Sequence, residues 1–316
     1  MIAGCFALAH FAAFPQVGTI WRKYVHLQEH PNQYSILYIG SSRVFHEFLP
    51  AQFDAALAKR GRHETSFNFG QDGMWPPESL YMIRHLLALN SKKLRWVFID
   101  LMPVKPFIEG SETTLRAMYW HDWRHTLMAL RYCLNLPDSD RPAGTRLNNC
   151  YTHLFLWAER GLNAGVGSQR LLLAMKMEKE KRAEEVEYAG WEAGPDRHLS
   201  EQELKDFHAE TARLPQIPKH PIDPLLRDGL NDIIKEVRKA GAEPIFVVAA
   251  GFYGNARFSD WPPPDVKILA FDDPVRYPDL YNPDHRFDMF HLSLPGAQDF
   301  TRHLADRFAE YLEEKR

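Results

Sequence analysis

Two segments near opposite ends of the chain hold residues whose types and spacing support acyl-transfer chemistry. Near the start, Tyr34-Ser35-Ile36-Leu37-Tyr38-Ile39 runs into Gly40-Ser41-Ser42-Arg43. An apolar run entering a Gly-Ser-Ser turn predicts a buried strand, then a helix, with a serine hydroxyl lifted to the mouth of a sheet. Near the end, Phe287-Asp288-Met289-Phe290-His291-Leu292 sets an Asp and a His three residues apart. A serine hydroxyl is a weak nucleophile. It needs a base to take its proton and a carboxylate to hold that base in the right tautomer. Asp288 and His291 supply such a pair, and their spacing fits a tight turn in which both side chains face one site. A serine at a helix N-terminus also meets free N–H groups and the positive end of the helix dipole, which favour a developing oxyanion.

Each residue has a plainer role open to it. Ser42 suits a helix N-cap, Asp288 a turn cap, and His291 a loop position with satisfied hydrogen bonds. Their order and context together favour a catalytic triad.

These residues need a scaffold. Five apolar runs without clean polar alternation predict buried parallel strands: Ser35–Ile39, Thr65–Phe69, Leu94–Leu101, Pro244–Ala249 and Val266–Phe271. Helical patterns cover Pro50–Arg60, which stops at Gly61, Pro76–Leu89, and Asp223–Ala240, which ends at Gly241. The last of these is amphipathic through Leu226, Leu230, Ile233, Ile234 and Val237. A closing helix is signalled by Ser293 as a cap, Pro295 in the first turn, and a stripe at Phe300, Leu304, Phe308 and Leu312. Alternating strands and helices imply an α/β fold: a three-layer α/β/α sandwich on a five-stranded, mostly parallel sheet. The interval from about Val104 to Pro221 breaks the rhythm and reads as a helical insertion, expected to cap the site. Within it, the charged run Lys176 to Glu185 reads most simply as a solvated helix face.

The bulk numbers exclude some classes. A chain of 316 residues with a net charge of −3 and no basic stripe gives no case for nucleic acid. Cys5, Cys133 and Cys150 lack zinc-site spacing, so no thiolate metal site is expected. Cys133 and Cys150 are either a disulfide or two buried thiols. His121 and His125 stand at i and i+4, a chelating spacing, but no third ligand is near in sequence and no metal is expected. Trp120 and Trp123 beside them either pack the cap or stack on sugar rings. Gly40-Ser41-Ser42 lacks the further glycines of a dinucleotide fingerprint. Met1 to Ile20 is mostly apolar and then meets Trp21-Arg22-Lys23. A membrane-proximal helix is the favoured expectation, with membrane association through residues 1–20. An amphipathic helix docked on the domain is the alternative.

The order Ser42, then Asp288 and His291 as Asp-x-x-His, resembles the SGNH/GDSL hydrolase superfamily, by blocks rather than over the whole chain. The family's first block, Gly-Asp-Ser, stands here as Gly40-Ser41-Ser42, and the resemblance makes Ser42 the nucleophile. The second block, Asn-x-Gly-x-x-Gly, stands as Asn68-Phe69-Gly70-Gln71-Asp72-Gly73, and it implies an oxyanion hole from the N–H groups of Ser42 and Gly73. The last block is Asp288-Met289-Phe290-His291-Leu292, followed by Pro295-Gly296-Ala297. The Gly-Ser-Ser-Arg form is similar to envelope relatives, the alginate O-acetyltransferase type and the D-alanyl transfer protein of teichoic acids. One block departs. The family's Gly-x-Asn-Asp supplies a further oxyanion donor, whereas the strand end here reads Phe98-Ile99-Asp100-Leu101-Met102-Pro103, with no Asn. Losing one such donor costs roughly 10²–10³ in rate.

The resemblance therefore implies an SGNH-type, flavodoxin-like domain over 26–316, preceded by an apolar segment over 1–25 with the character of a membrane anchor. It implies a serine-dependent esterase or O-acyltransferase working through acyl-Ser42 without a cofactor, on a glycan or small-molecule ester of the cell envelope. Arg43, Asn68 and His46 are secondary candidates for substrate contact. Their structural alternatives are an ion pair for Arg43, a loop brace for Asn68 and an exposed helix position for His46. The rival from another class is a non-catalytic protein of the same fold that binds a glycan or an assembly partner. A flavodoxin-like nucleotide binder accounts for the fold class but for neither Asp288 nor His291.

Overall fold

The computed structural model of the chain describes residues 17–105, 114–135, 143–162, 187–252 and 257–315. Its centre is a sheet of five parallel strands: β1 (Ile36–Gly40), β2 (Ser66–Gly70), β3 (Trp96–Asp100), β4 (Glu243–Val248) and β5 (Lys267–Ala270). Every predicted strand is present within two residues of its expected bounds. The spatial order is β2-β1-β3-β4-β5. The chain leaves β1 for one edge, returns across it to β3, and then builds outwards. Such a reversal opens a crevice at the C-terminal ends of β1 and β3, the usual ligand position in open α/β sheets. Register brings Gly40 opposite Gly70 and Ile39 opposite Ile99, so the turn after β1 meets the ends of both neighbours.

Strand residues alternate between two cores. Leu37, Ile39, Phe67, Phe69, Val97, Ile99, Phe246 and Val248 face one layer. That layer holds α1 (Gly18–Glu29), α4 (Glu78–Leu87) and α9 (Pro224–Lys239). Ile36, Tyr38, Phe98, Ile245, Val247 and Leu269 face the other. There α3 (Pro50–Lys59), α8 (Glu201–Arg213) and α10 (Leu294–Glu314) pack, with α2 (Ser42–Glu47) at the sheet's mouth. The expected stripes are where the pattern put them: Leu226, Leu230, Ile233, Ile234 and Val237 are buried on α9, and Phe300, Leu304 and Phe308 on α10, with Leu312 only partly buried. Asp223 caps α9 by accepting the Leu226 N–H. Ser293 precedes α10, but its side chain makes no capping hydrogen bond, contrary to expectation. Pro295 in the first turn already removes one N–H that such a cap would serve.

The N-terminal region departs from the anchor expectation where it is described. Val17, Ile20, Lys23 and Leu27 are buried against the domain, so α1 is a docked helix with Val17 as its N-cap. No described helix is long and apolar enough to cross a membrane. Residues 1–16, with Cys5, lie outside the described residues.

Between β3 and α9 the described residues form α5 (Leu115–Tyr119), α6 (Trp123–Asn135), α7 (Ala143–Gly161), a 3-10 turn at Glu187–Gly190, α8 and a second 3-10 turn at Leu214–Gln216. The path differs from a simple cap. Arg124 of α6 bonds Asp232 and Glu236 of α9, and Arg116 and Tyr119 of α5 bond Glu78 of α4. These helices thus back the α4–α9 layer. The return segment then crosses the sheet's mouth and delivers α8 to the opposite layer. The charged run 176–185 lies outside the described residues. Trp120 is buried and stacks on His121, so its face is closed to a sugar, while Trp123 is 56% exposed. His121 and His125 turn to different partners, His153 and Asp122. Among the described residues no cluster of three or more candidate ligands could hold a metal ion. Cys133 and Cys150 are thiols, Cys133 buried.

Candidate active site

Ser42 opens α2 directly after β1. Its neighbour Ser41 takes the capping role: the Ser41 hydroxyl accepts the Arg43 N–H at 3.3 Å and donates to Asp100 Oδ2 at 2.6 Å. The Ser41 N–H also donates to Asp100, at 3.1 Å. A cap serves the first turn's orphan N–H groups. With Ser41 in that role, the Ser42 hydroxyl is left for another partner. That partner is His291: Ser42 Oγ lies 2.6 Å from His291 Nε2. On the far side of the ring, His291 Nδ1 lies 2.9 and 2.8 Å from the two carboxylate oxygens of Asp288. The three side chains, separated by up to 249 positions in sequence, form one hydrogen-bonded line.

Asp288 is fixed by its own turn. Its Oδ1 accepts the backbone N–H groups of Phe290 at 2.7 Å and His291 at 2.9 Å. Burial works against its charge, but the bonds from the His291 ring and from these two amides outweigh it, and its pKa falls below the usual carboxylate value. Asp288 is therefore ionised at neutral pH and can hold Nδ1–H, leaving Nε2 as the acceptor of the serine proton.

Comparison with protein-family models, with curated proteins and with solved structures finds no match. The site therefore rests on its own geometry.

Gly73 has a φ of 64°, in the left-handed region that favours glycine. Its turn is closed by the Met74 N–H on the Gln71 carbonyl at 3.0 Å, and hangs from β1 through the Gln71 N–H on the Gly40 carbonyl at 3.0 Å. Neither the Ser42 N–H nor the Gly73 N–H has a hydrogen-bond partner among the described residues. Both remain available to an anionic oxygen. At the end of β3, Asp100 does not contribute a donor; it holds Ser41 instead, and burial raises its pKa against the pull of Ser41 and Arg43. A Cβ on Gly40 would sit 2.2 Å from Asp100 Cβ, and one on Gly70 2.2 Å from the Phe45 nitrogen, so both glycines permit the close packing of α2 on the strand ends.

The secondary candidates fall differently. Asn68 is fully buried, and its amide donates to the carbonyls of Val44, Phe45 and Phe48 while its oxygen accepts the Gly70 N–H. It braces α2 against β2 and has no group left for substrate. Arg43 is buried beneath the turn, with its guanidinium against Gly251 and its charge acting on Glu47 and Asp100. It too is structural. His46 stands in the site: its ring meets His291 edge-on at a centroid distance of 6.4 Å.

Three supports were not anticipated from sequence. Arg286 is fully buried and donates to the carbonyls of Met289, Ala250 and Leu280 at 3.2, 3.0 and 2.8 Å. It stays cationic although burial lowers its pKa to about 10. Glu47, also fully buried, accepts the Leu292 N–H at 3.1 Å and so ties α2 to the loop that holds Asp288 and His291. Burial pushes its pKa up to about 8 despite the nearby Arg43 and Arg286. Lys23 of α1 donates to the Gly70 carbonyl at 2.7 Å over the Phe45 ring, and burial draws its pKa down to about 7. Beside it, the Thr19 hydroxyl bonds the Gln71 side chain. Helix α1 thus holds the start of the Gly73 loop.

Proposed function

We propose that the chain is an SGNH-type acyl-ester hydrolase or O-acyltransferase that works through an acyl-Ser42 intermediate. The observation that carries this reading is the line from Ser42 Oγ to His291 Nε2 at 2.6 Å and from His291 Nδ1 to Asp288 at 2.8 Å. Ser42 Oγ attacks the ester carbonyl as His291 takes its proton. The Ser42 and Gly73 N–H groups receive the oxyanion. Collapse breaks the ester C–O bond, and His291 returns the proton to the departing alcohol. Water or a sugar hydroxyl then repeats the sequence on acyl-Ser42, giving hydrolysis or transfer.

The short donor set favours slow hydrolysis of small activated esters, since an absent oxyanion donor costs roughly 10²–10³ in rate. A carbohydrate or other envelope ester is the proposed substrate class, and the same proposal includes an envelope location, with membrane association through those of residues 1–20 that precede Val17, since Val17 and Ile20 pack on the domain. A non-catalytic glycan- or partner-binding role is the second reading, and the missing donor at the end of β3 is what favours it.

Labelling by a fluorophosphonate probe, compared between the native chain and Ser42→Ala, tests nucleophile activation without knowledge of the substrate. Labelling that Ser42→Ala abolishes is expected. Turnover of p-nitrophenyl acetate with and without oligosaccharides, followed by mass spectrometry of the sugars, separates transfer from hydrolysis. Absence of both labelling and turnover would favour the non-catalytic reading.

A further inference from the structure

His46 lies one helical turn after Ser42, and its two ring nitrogens both face acceptors. Nδ1 is 3.0 Å from the Glu192 carbonyl oxygen, and Nε2 is 3.1 Å from Asp72 Oδ1. A carbonyl oxygen can only accept. Asp72 is 60% exposed, and its pKa is lowered, chiefly by the His46 hydrogen bond, so it too is an acceptor at neutral pH. A neutral imidazole has one N–H and can satisfy only one of the two; the imidazolium satisfies both.

The positions of these partners give the contact a use. Asp72 directly precedes Gly73, while His46 sits on the helix that begins with Ser42. The His46–Asp72 bond therefore joins the two backbone segments that carry the proposed oxyanion donors. Glu192 belongs to the return segment of the insertion, itself seated by the Trp191 indole N–H on the His46 carbonyl at 2.9 Å. We propose that His46, as an imidazolium, is a positioning residue that clips the Gly73 loop to the Ser42 helix, and that loss of its proton at alkaline pH loosens the oxyanion hole. The proposal rests on the acyl-transfer reading above for its catalytic consequence, but not for the clip itself.

Charged groups reach His46 from every side. Glu47 follows it on α2, Asp72 faces it from the loop, and the Glu192 carbonyl faces it from the return segment. The His291 ring meets it edge-on, and Asp288 stands beyond that ring, bonded to its Nδ1. From α1, Arg22 lies 3.6 Å from Glu192, and Lys23 lies within electrostatic reach of Glu192 and Asp72. Burial pulls the His46 pKa down, but Asp72, the Glu192 carbonyl and Glu47 outweigh it, and the net shift is upwards. Both bonds of the clip are thus made below this raised pKa; as pH rises through it one of the two is lost and the clip loosens.

Two measurements on the full chain test the clip. The first is ¹⁵N NMR of the His46 ring and the Gly73 amide across pH. Both ring nitrogens should be protonated at the acid end, and the Gly73 amide should titrate with them. His46→Gln should abolish that titration while the remaining amide spectrum reports an intact fold. A Gly73 amide indifferent to the His46 titration overturns the proposal. The second is the rate of fluorophosphonate labelling of Ser42 against pH. The alkaline fall should be roughly tenfold, since a donor is displaced rather than removed. Asp72→Asn, at an exposed position, should move that fall to lower pH by removing the charge that favours the imidazolium. An alkaline fall that persists unchanged in His46→Gln belongs to another group, Lys23 first, and also overturns the proposal. If the native chain is not labelled at all, the acyl-transfer reading fails, and the NMR titration alone decides the clip.

Discussion

Replacing Asp288 by Asn isolates the tautomer of His291 from the shape of the site. Asp288 Oδ1 accepts two backbone donors, the N–H groups of Phe290 at 2.7 Å and of His291 at 2.9 Å. An Asn keeps both only if its carbonyl oxygen stays where Oδ1 is. Its NH₂ then occupies the place of Oδ2, which faces His291 Nδ1 at 2.8 Å. Oδ1, 2.9 Å from Nδ1, is already taken by the two amides, so the donor at the Oδ2 position makes Nδ1 an acceptor, and the ring proton moves to Nε2. An N–H then faces Ser42 Oγ across 2.6 Å, and the base can no longer take the serine proton. The expected loss at neutral pH is roughly 10³–10⁴ in the rate of Ser42 acylation, about 4–5.5 kcal/mol of activation free energy. Stability should change little, because both backbone bonds survive. The assay is the second-order rate of fluorophosphonate labelling at pH 7, with a urea unfolding curve as control. Labelling within tenfold of the native chain, on a folded protein, would refute the assignment of Asp288 as the residue that sets the tautomer.

Two further outcomes follow from named contacts. Gly73→Ala places a Cβ at a φ of 64°, which costs roughly 1–2 kcal/mol for an L-residue, and the loop's relaxation should displace the donor; a lowered melting temperature with unchanged Ser42 labelling would show that Gly73 is not in the oxyanion hole. Lys23 has a folded pKa near 7 against an ordinary value of 10.5, so between those values the unfolded chain binds more protons and the native state gains stability as pH rises, by up to about 1.4 kcal/mol per pH unit. Lys23→Met removes the titrating group, and urea unfolding at pH 7, 8 and 9 should show the gap between native and variant chains changing in favour of the native chain; a gap constant with pH rules out the buried amine.

The sheet was legible because each strand carries its own signal. Parallel strands are covered on both faces, so Ser35–Ile39 or Pro244–Ala249 reads as an unbroken apolar run that needs no knowledge of its neighbours. Helices α9 and α10 were legible for the same local reason, an apolar stripe at helical period. The insertion's path was not. Whether its helices cover the crevice or back another layer depends on contacts such as Arg124 with Asp232 and Arg116 with Glu78, and no periodicity encodes which partner an exposed-looking arginine will find. The docking of α1 was obscured likewise, because the residue that ties it to Gly70 is Lys23, and a lysine in sequence signals solvent.

The site divides along the same line. Ser42, Asp288 and His291 stood out because their chemistry is scarce and their turns are marked by Gly40 and by the Asp-x-x-His spacing. Arg286 and Glu47 did not stand out, yet they determine where the loop holding Asp288 and His291 lies relative to α2. Arg286 fastens that loop from within by three carbonyls, and Glu47 receives the amide of Leu292, the residue after His291. A buried cation and a buried acid are costly unless their hydrogen bonds are met. Under the proposed function, their presence beneath this loop serves the need to fix the position of a base to a fraction of an ångström. That need exists for a group that transfers a proton, and it is absent for a loop histidine that only satisfies its own hydrogen bonds.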